Sequence, residues 1–213
     1  MGIDVAAVLD ALSRIQDKGS SDILISTSLE KEKDLSLDDL INLGESDTLE
    51  FKASLLEPVS SDRIKSSLTD NENLQRQLKG MRETLKNEVI TTISAFMNSA
   101  GGILLIGVQD DGSVCGLDRD IKAAGRKRDW DSWLQVLANH IREKIGTEFV
   151  NYVKAERLMH ENKTVAKITV ERSRRPAYVE KKDAAFYVRS LNTTTPLNTK
   201  QAYDYITDHW KSF

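Results

Sequence analysis

The chain has 213 residues, a length that suits one compact domain with short appendages, and its 39% hydrophobic and 30% charged residues give no reason to expect wholesale disorder. It contains no apolar run near the roughly 20 residues that a membrane-spanning helix needs, and its first residues lack the pattern of a signal peptide, so we expect a cytoplasmic protein with no membrane partner. The single cysteine, Cys115, excludes an internal disulfide and a cysteine-rich zinc site.

Charge is distributed unevenly along the chain, although the net charge is only −3. Residues 1–118 contain 11 Lys and Arg against 21 Asp and Glu, a balance of −10, whereas residues 119–213 contain 19 against 12, a balance of +7. An acidic pocket for a cation beside a basic surface for a polyanion would produce this pattern. Two packed halves that neutralise each other would produce it equally well.

The acidic half begins with two helical patterns. Residues 3–17 place apolar side chains at helical spacing, which predicts an amphipathic helix. A short helix capped by Ser36 follows and ends at Gly44. We therefore expect an N-terminal helical extension over residues 1–43 and the main domain over residues 44–213.

The main domain opens with a predicted strand and a long helix. Residues 48–52 alternate polar and apolar side chains, as a half-buried strand requires. Residues 57–79 are polar with few aromatics and predict a loop or a partly helical insertion. Apolar side chains from Leu85 to Met97 then define one face of a long helix, for which Asn98 would serve as an end cap.

A buried strand and a tight turn follow this helix. Residues 103–108 are continuously apolar, and residues 109–113 predict a hairpin turn into residues 114–117. The remaining predicted elements are a helix through Trp130 and Ile141, strands over 152–159, 164–170, 177–179 and 185–189, and a helix over about 199–210. Together these elements predict an α+β domain with a mixed β-sheet and packed helices.

Four motifs occur in a characteristic order. They are residues 45–52 (ESDTLEFK), residues 94–102 (SAFMNSAGG), residues 105–117 (LIGVQDDGSVCGL), and the pair RPAY at 175–178 with YVR at 187–189. In this order the motifs resemble the Schlafen-type (Alba-like, divergent AAA) domain, over roughly residues 40–210. The resemblance implies a Schlafen/Alba-like core and a nucleic-acid partner.

The resemblance also implies a catalytic site. Vertebrate members with ribonuclease activity bind metal through two glutamates five residues apart and an aspartate after the Ile-Gly-Val strand, and Glu45, Glu50 and Asp110 match them. The chain is therefore expected to be a metal-dependent endonuclease that holds Mg²⁺ or Mn²⁺ with these carboxylates and acts on structured RNA such as tRNA. Some bacterial members are associated with antiviral defence.

The chain departs from the vertebrate pattern in two respects. It lacks the cysteine and histidine residues that hold a structural zinc in those proteins, so no zinc is expected. It also has one lobe where they have two that close into a clamp. A similar clamp would require two copies of this chain, which predicts a homodimer.

The proposed chemistry sets geometric conditions. Mg²⁺ and Mn²⁺ prefer carboxylate oxygens, but five residues of straight strand would separate Glu45 from Glu50 by about 16 Å, so the chain must bend near Ser46. Lys52 shares a strand face with Glu50, where its ammonium would stabilise charge on a phosphate during catalysis.

Each residue also has a simpler interpretation. Glu50 and Lys52 would be a solvent-facing pair worth little to stability. Asp110 would belong to an ordinary hairpin turn, and Glu45 would be a solvated residue after a helix. The chain contains no Walker motif, so ATP binding is not expected.

A basic surface is predicted to contact the polyanion backbone. Its candidate residues are Arg126, Lys127, Arg128, Arg172, Arg174, Arg175, Lys181, Lys182 and Arg189, with Tyr178 and Tyr187 available to stack on bases. RNA is favoured over DNA only by analogy with the vertebrate relatives. Two other hypotheses remain open, namely a non-catalytic nucleic-acid-binding module and a protein-interaction adaptor that uses the N-terminal helix.

Overall fold

A computed structural model of the chain describes residues 29–59, 71–180 and 183–210. The helix expected over residues 3–17 lies outside these residues, as do Lys181 and Lys182. The elements, in chain order, are α1 (Leu37–Leu43), β1 (Leu49–Lys52), α2 (Asn71–Asn98), β2 (Gly102–Ile106), α3 (Asp118–Ala123), α4 (Trp130–Lys144), a 3₁₀ helix (Thr147–Tyr152), β3 (Val153–His160), β4 (Lys163–Val170), β5 (Tyr178–Val179), β6 (Ala185–Ser190), β7 (Thr193–Leu197) and α5 (Thr199–His209).

The strands form two sheets. The first has the order β1-β2-β4-β3, in which β1 and β2 are parallel and the other neighbours are antiparallel. The second is antiparallel with the order β5-β6-β7. Mixed strands with packed helices confirm the predicted α+β class.

Several details differ from the sequence-based expectations. The hairpin after β2 is reduced to a single bridge between Val108 and Val114. Residues 71–79, in the segment predicted to be a loop or a partly helical insertion, belong to the long helix α2. The strand β7 was not predicted because it contains Pro196, which lacks a backbone donor and is tolerated here on an edge strand.

The first sheet is covered on both faces, which explains why every residue of β2 is buried. One face packs on α2 and α4 through a core that includes Ile93, Phe96 and Trp133. The other face packs on residues 29–43, including Leu40. Burial on both faces accounts for the continuous apolar sequence of β2.

The strand β6 has two differently occupied faces. Phe186 and Val188 point to α5 and form a small core with it. The alternate residues of a strand lie on the opposite face, where Tyr187 packs against the main core and the Arg189 guanidinium lies 5.0 Å from the centre of the Phe96 ring. The strand therefore brings Tyr187 and Arg189 to α2.

None of the helices in the described ranges combines the length and hydropathy that crossing a membrane would take.

Candidate functional site

An open cleft of about 640 Å³ lies among β1, α2, β6 and β7. Three residues of the predicted catalytic set, Glu50, Lys52 and Asp110, line it together. The other lining residues are Ala53, Thr84, Leu85, Asn87, Glu88, Thr91, Thr92, Tyr187 and Thr194. The cleft thus combines charged groups from the first sheet with a polar helix face and an aromatic side chain.

Parallel pairing explains how residues so distant in sequence meet. Glu50 and Lys52 lie beside Leu104 and Ile106 of β2, and the chain that leaves β2 stays close because Gly107 N and Val108 N donate to the Lys52 carbonyl at 2.8 and 3.3 Å. Since parallel strands end at the same edge of a sheet, Asp110 arrives beside the end of β1.

Glu50 is a buried carboxylate held between two cations. Its Oε1 accepts a hydrogen bond from Lys52 Nζ at 2.6 Å, and its Oε2 lies 2.9 Å from Arg189 Nη1. The second contact is an ion pair only. It lacks hydrogen-bond geometry, so the buried Oε2 atom has no hydrogen-bond partner. The Glu50 side chain is only 10% exposed, so the simpler interpretation of a solvent-facing pair is wrong.

Arg189 lies inside the molecule rather than on the expected basic surface. Its side chain is 1% exposed, and its guanidinium donates to the Ser46 carbonyl at 2.6 Å and to Thr194 Oγ1 at 3.1 Å. These contacts and the ion pair with Glu50 tie the segment before β1 to the hairpin of β6 and β7. The expectation that Arg189 presents its charge to a polyanion at the surface is therefore corrected.

Glu45 has a partner on β1. The chain bends at Ser46, whose Oγ accepts from Thr48 N and Leu49 N at 3.2 and 3.1 Å. The bend returns Glu45 Oε1 to the Phe51 backbone N–H at 2.9 Å. Because β1 is the edge strand of its sheet, no neighbouring strand accepts a hydrogen bond from the Phe51 N–H, and the Glu45 carboxylate accepts it instead. Glu45 does not line the cleft.

Asp110 and Asp111 have separate roles in the turn after β2. Asp111 Oδ1 accepts from Ser113 N at 2.9 Å, and the hydrogen bonds from Ser113 lower the pKa of Asp111. Asp110 is exposed, and within the described part of the chain its carboxylate has no hydrogen bond or ion pair. The turn is thus explained by Asp111, which leaves Asp110 available to the cleft.

The donor set limits how a divalent ion would be held. In residues 29–59, 71–180 and 183–210, no group of three or more His, Cys, Asp or Glu side chains is arranged to hold a metal ion. Mg²⁺ commonly uses only one or two protein carboxylates, several waters and substrate phosphates. Glu50 and Asp110 both line the cleft and would be the two carboxylates of such a set, whereas a cage of three carboxylates would require Glu45 to leave Phe51.

The remaining basic candidates form two exposed groups. Residues 126–128 lie between α3 and α4, and Arg172, Arg174 and Arg175 lie between β4 and β5. Arg175 pairs with Glu148 at 2.5 Å, so part of its charge is already neutralised. Binding of nucleic acid by either group stays a prediction.

Sequence reasoning missed Asp120, which organises the chain beside the cleft. This buried carboxylate accepts from Ser54 Oγ at 2.7 Å and from three backbone N–H groups, those of Leu55, Leu56 and Glu57, at 2.7 to 3.1 Å. Trp133 Nε1 also donates to this carboxylate at 3.2 Å. The other donors lie more than 60 positions earlier in the chain, so no local pattern could have indicated them.

Asn98 and the polar face of α2 were also underestimated. The Asn98 amide donates to the Ala177 and Tyr187 carbonyls at 2.8 and 2.9 Å, so it fastens the second sheet to α2 instead of only capping the helix. The spacing of Thr84, Asn87 and Thr91, three and four residues apart, could have revealed a polar helix face.

The chain is similar to known proteins over most of its length. A protein-family model described as Schlafen, AlbA_2 matches residues 45–198. No curated protein matches the chain at a significant level. Among solved structures, it is similar to the crystal structure of the DIP2311 protein from Corynebacterium diphtheriae, with 15% identity and a TM-score of 0.45 over 78% of this chain and 28% of that one.

Proposed function

The chain belongs to the Schlafen, AlbA_2 family, which indicates a nucleic-acid-related function, and we propose that nucleic acid binds in the cleft formed by β1, α2, β6 and β7. One observation carries this proposal: Glu50, Lys52 and Asp110, from two different parts of the chain, line the same open cleft. The cleft has a lysine and two acids on one side and the polar face of α2 on the other. Such a lining is suited to a phosphodiester together with its sugar and base.

The positive potential for a polyanion would come from Lys52 and from basic groups outside the cleft, because the carboxylates of Glu50, Glu88 and Asp110 also line the cleft. Lys52 Nζ is partly exposed at the cleft, and two groups of arginine and lysine side chains lie exposed on the basic half of the chain. Attraction of phosphates requires local positive potential rather than a positive net charge. The proposal therefore stands despite a net charge of −3.

We further propose that the cleft cleaves the bound strand as a metal-dependent endonuclease. Glu50 and Asp110 would hold Mg²⁺ or Mn²⁺, which when bound activates a water and neutralises charge on the leaving oxygen. Lys52 would donate to a phosphate oxygen and stabilise the charge that develops there. The free carboxylate of Asp110 favours this activity.

We propose structured RNA such as tRNA as the substrate and a homodimer as the active form. Both proposals rest on the resemblance to vertebrate members.

A non-catalytic nucleic-acid-binding module is the second candidate. The observation that favours it is the engagement of both Glu50 oxygens by Lys52 and Arg189. In that case the acids position these cations and shape the cleft, and the protein binds nucleic acid without cleaving it.

Asp110→Asn separates the two candidates, with Asp111→Asn as the matched control from the same turn. Binding of labelled structured RNA would be measured by fluorescence anisotropy, and cleavage by gel electrophoresis with Mg²⁺, Mn²⁺ or EDTA. For the endonuclease we expect metal-dependent cleavage that Asp110→Asn reduces at least about 100-fold and Asp111→Asn leaves nearly unchanged, with binding retained in both. Binding without cleavage under every metal condition would establish the non-catalytic module, and absence of binding would refute both.

A further inference from the structure

The wall that α2 presents to the cleft contains one free amide. Thr84 Oγ1 donates to the Gly80 carbonyl at 3.1 Å, and Thr91 Oγ1 donates to the Glu88 carbonyl at 3.0 Å, so both hydroxyl donors are used within the helix. Asn87 lies between them, is half-buried, and within the described chain makes no side-chain hydrogen bond. Its amide offers an acceptor oxygen and two donor hydrogens to whatever enters the cleft.

An aromatic side chain lines the same cleft from the second sheet. Tyr187 is half-buried on the face of β6 that looks toward α2, and it lines the cleft together with Asn87 and Lys52. Its position is firmly set, because the Tyr187 carbonyl accepts from the buried Asn98 amide at 2.9 Å. The cleft thus has an aromatic group, a free amide and a lysine around one space.

We propose that Asn87 and Tyr187 form a subsite for an unpaired nucleobase next to the phosphate that Lys52 binds. The base stacks on the Tyr187 ring, and its edge exchanges two hydrogen bonds with the Asn87 amide. Adenine suits this subsite, because its N7 acceptor and N6 donor are adjacent, as the amide requires, and its two rings give a larger stacking area than a pyrimidine ring. This inference rests on the proposed function, since it requires that the cleft take nucleic acid.

The subsite predicts a base preference that Asn87 controls. Affinities for labelled oligoadenylate and oligouridylate, as RNA and as DNA, would be measured by fluorescence anisotropy in EDTA at fixed salt. The wild-type protein should bind oligoadenylate more tightly, and Asn87→Ala should lower its affinity for oligoadenylate about tenfold and that for oligouridylate by a smaller factor, so that the preference is reduced. Alanine at this helix position is favourable, so the variant should fold normally.

Gln75→Ala is the matched control, because Gln75 is an exposed amide on the same helix, about 18 Å from Asn87 along the axis and about 120° around it, and it does not line the cleft. It should keep the wild-type preference, whereas Tyr187→Leu should weaken binding of both oligomers. If the wild-type protein binds both oligomers equally, or if Asn87→Ala keeps the preference, the subsite is refuted while the proposed function stands. If the wild-type protein binds neither oligomer nor structured RNA, the proposed function fails and the subsite with it.

Discussion

Glu50 illustrates how a buried charge depends on its partners. Its side chain is 10% exposed, and its carboxylate lies between Lys52 and Arg189, whose own side chain is 1% exposed. Removing one member of a buried ion pair leaves an uncompensated charge, which typically costs about 3–5 kcal/mol. The ion pair therefore matters to the fold whether or not the cleft is catalytic.

Arg189→Met tests this dependence. We expect the free energy of unfolding to fall by about 3 kcal/mol, because Lys52 still compensates part of the Glu50 charge. The double variant Glu50→Gln/Arg189→Met should recover much of the loss, since it removes both charges. Urea denaturation followed by circular dichroism would measure both values. A loss below about 1 kcal/mol in the single variant would show that the buried pair contributes little.

Lys167 is a second buried charge and gives a prediction about pH. The residue is 4% exposed, its ammonium donates to the Lys33 carbonyl at 2.6 Å, and burial lowers its pKa from 10.5. The charged form is thus penalised in the folded state, and this penalty is fully present below the folded pKa. It disappears as the pH rises toward 10.5, because the unfolded chain then binds more protons than the folded one.

Comparison with Lys167→Met isolates that effect from other titrations. We expect the wild-type protein to gain stability relative to the variant as the pH rises from 8 toward 10.5. Urea denaturation midpoints of both proteins, measured across this range, give the difference. A constant difference, or one that changes in the opposite direction, would contradict the lowered pKa of Lys167.

At the level of elements, β1 is an edge strand whose outer backbone groups are satisfied by the preceding turn. Ser46 N donates to the Leu49 carbonyl at 2.8 Å, and Glu45 accepts from Phe51 N at 2.9 Å. An unpaired strand edge is a site where another chain can add. The turn therefore protects the strand that carries Glu50 and Lys52 into the cleft.

Glu45→Ala should lower the free energy of unfolding by about 1 kcal/mol, since it removes a hydrogen-bond acceptor from an edge backbone N–H. Glu45→Gln should restore most of the loss because its amide oxygen can accept from Phe51. Chemical denaturation of the three proteins measures this difference. Equal stability of the alanine variant and the wild-type protein would contradict the structural role. Loss of cleavage in Glu45→Gln at unchanged stability would instead support the metal-ligand role implied by the family.

At the scale of the whole molecule, most of the element order was predictable because apolar periodicity is local, whereas β7 and the short helix α3 were not predicted. The alternation in β1, the continuous apolar run of β2 and the spacing in α2 each indicated the correct structure. The division into two sheets was not predictable, because it depends on which distant strands pair. The same limit applies to the cleft. The strand pattern correctly placed Glu50 and Lys52 on one face of β1. The burial of Arg189 could not be predicted, because it depends on an ion pair with Glu50, which lies 139 positions earlier in the chain.

We expect the two exposed basic groups, at residues 126–128 and 172–175, to set the salt dependence of polyanion binding by the whole molecule. Each phosphate contact releases a counterion, so the slope of log affinity against log salt concentration counts contacts, at about 0.7 to 0.9 for each phosphate. Changing Arg126, Lys127 and Arg128 together to Gln should therefore reduce the magnitude of the slope by about 2 if these residues contact the backbone. Changing Arg172 and Arg174 to Gln should have a smaller effect of the same kind.

A control with the same loss of charge distinguishes contact from general electrostatics. Lys31, Lys79 and Lys200 are exposed lysines outside both groups, and their joint change to Gln should leave the slope nearly unchanged, because exposed charges more than about 10 Å from the bound polyanion are largely screened at 0.1 M salt. Anisotropy titrations of labelled RNA between 50 and 200 mM salt would measure all the slopes. If the control lowers the slope as much as the change at residues 126–128, the attraction comes from overall charge, and those residues do not form the nucleic-acid interface.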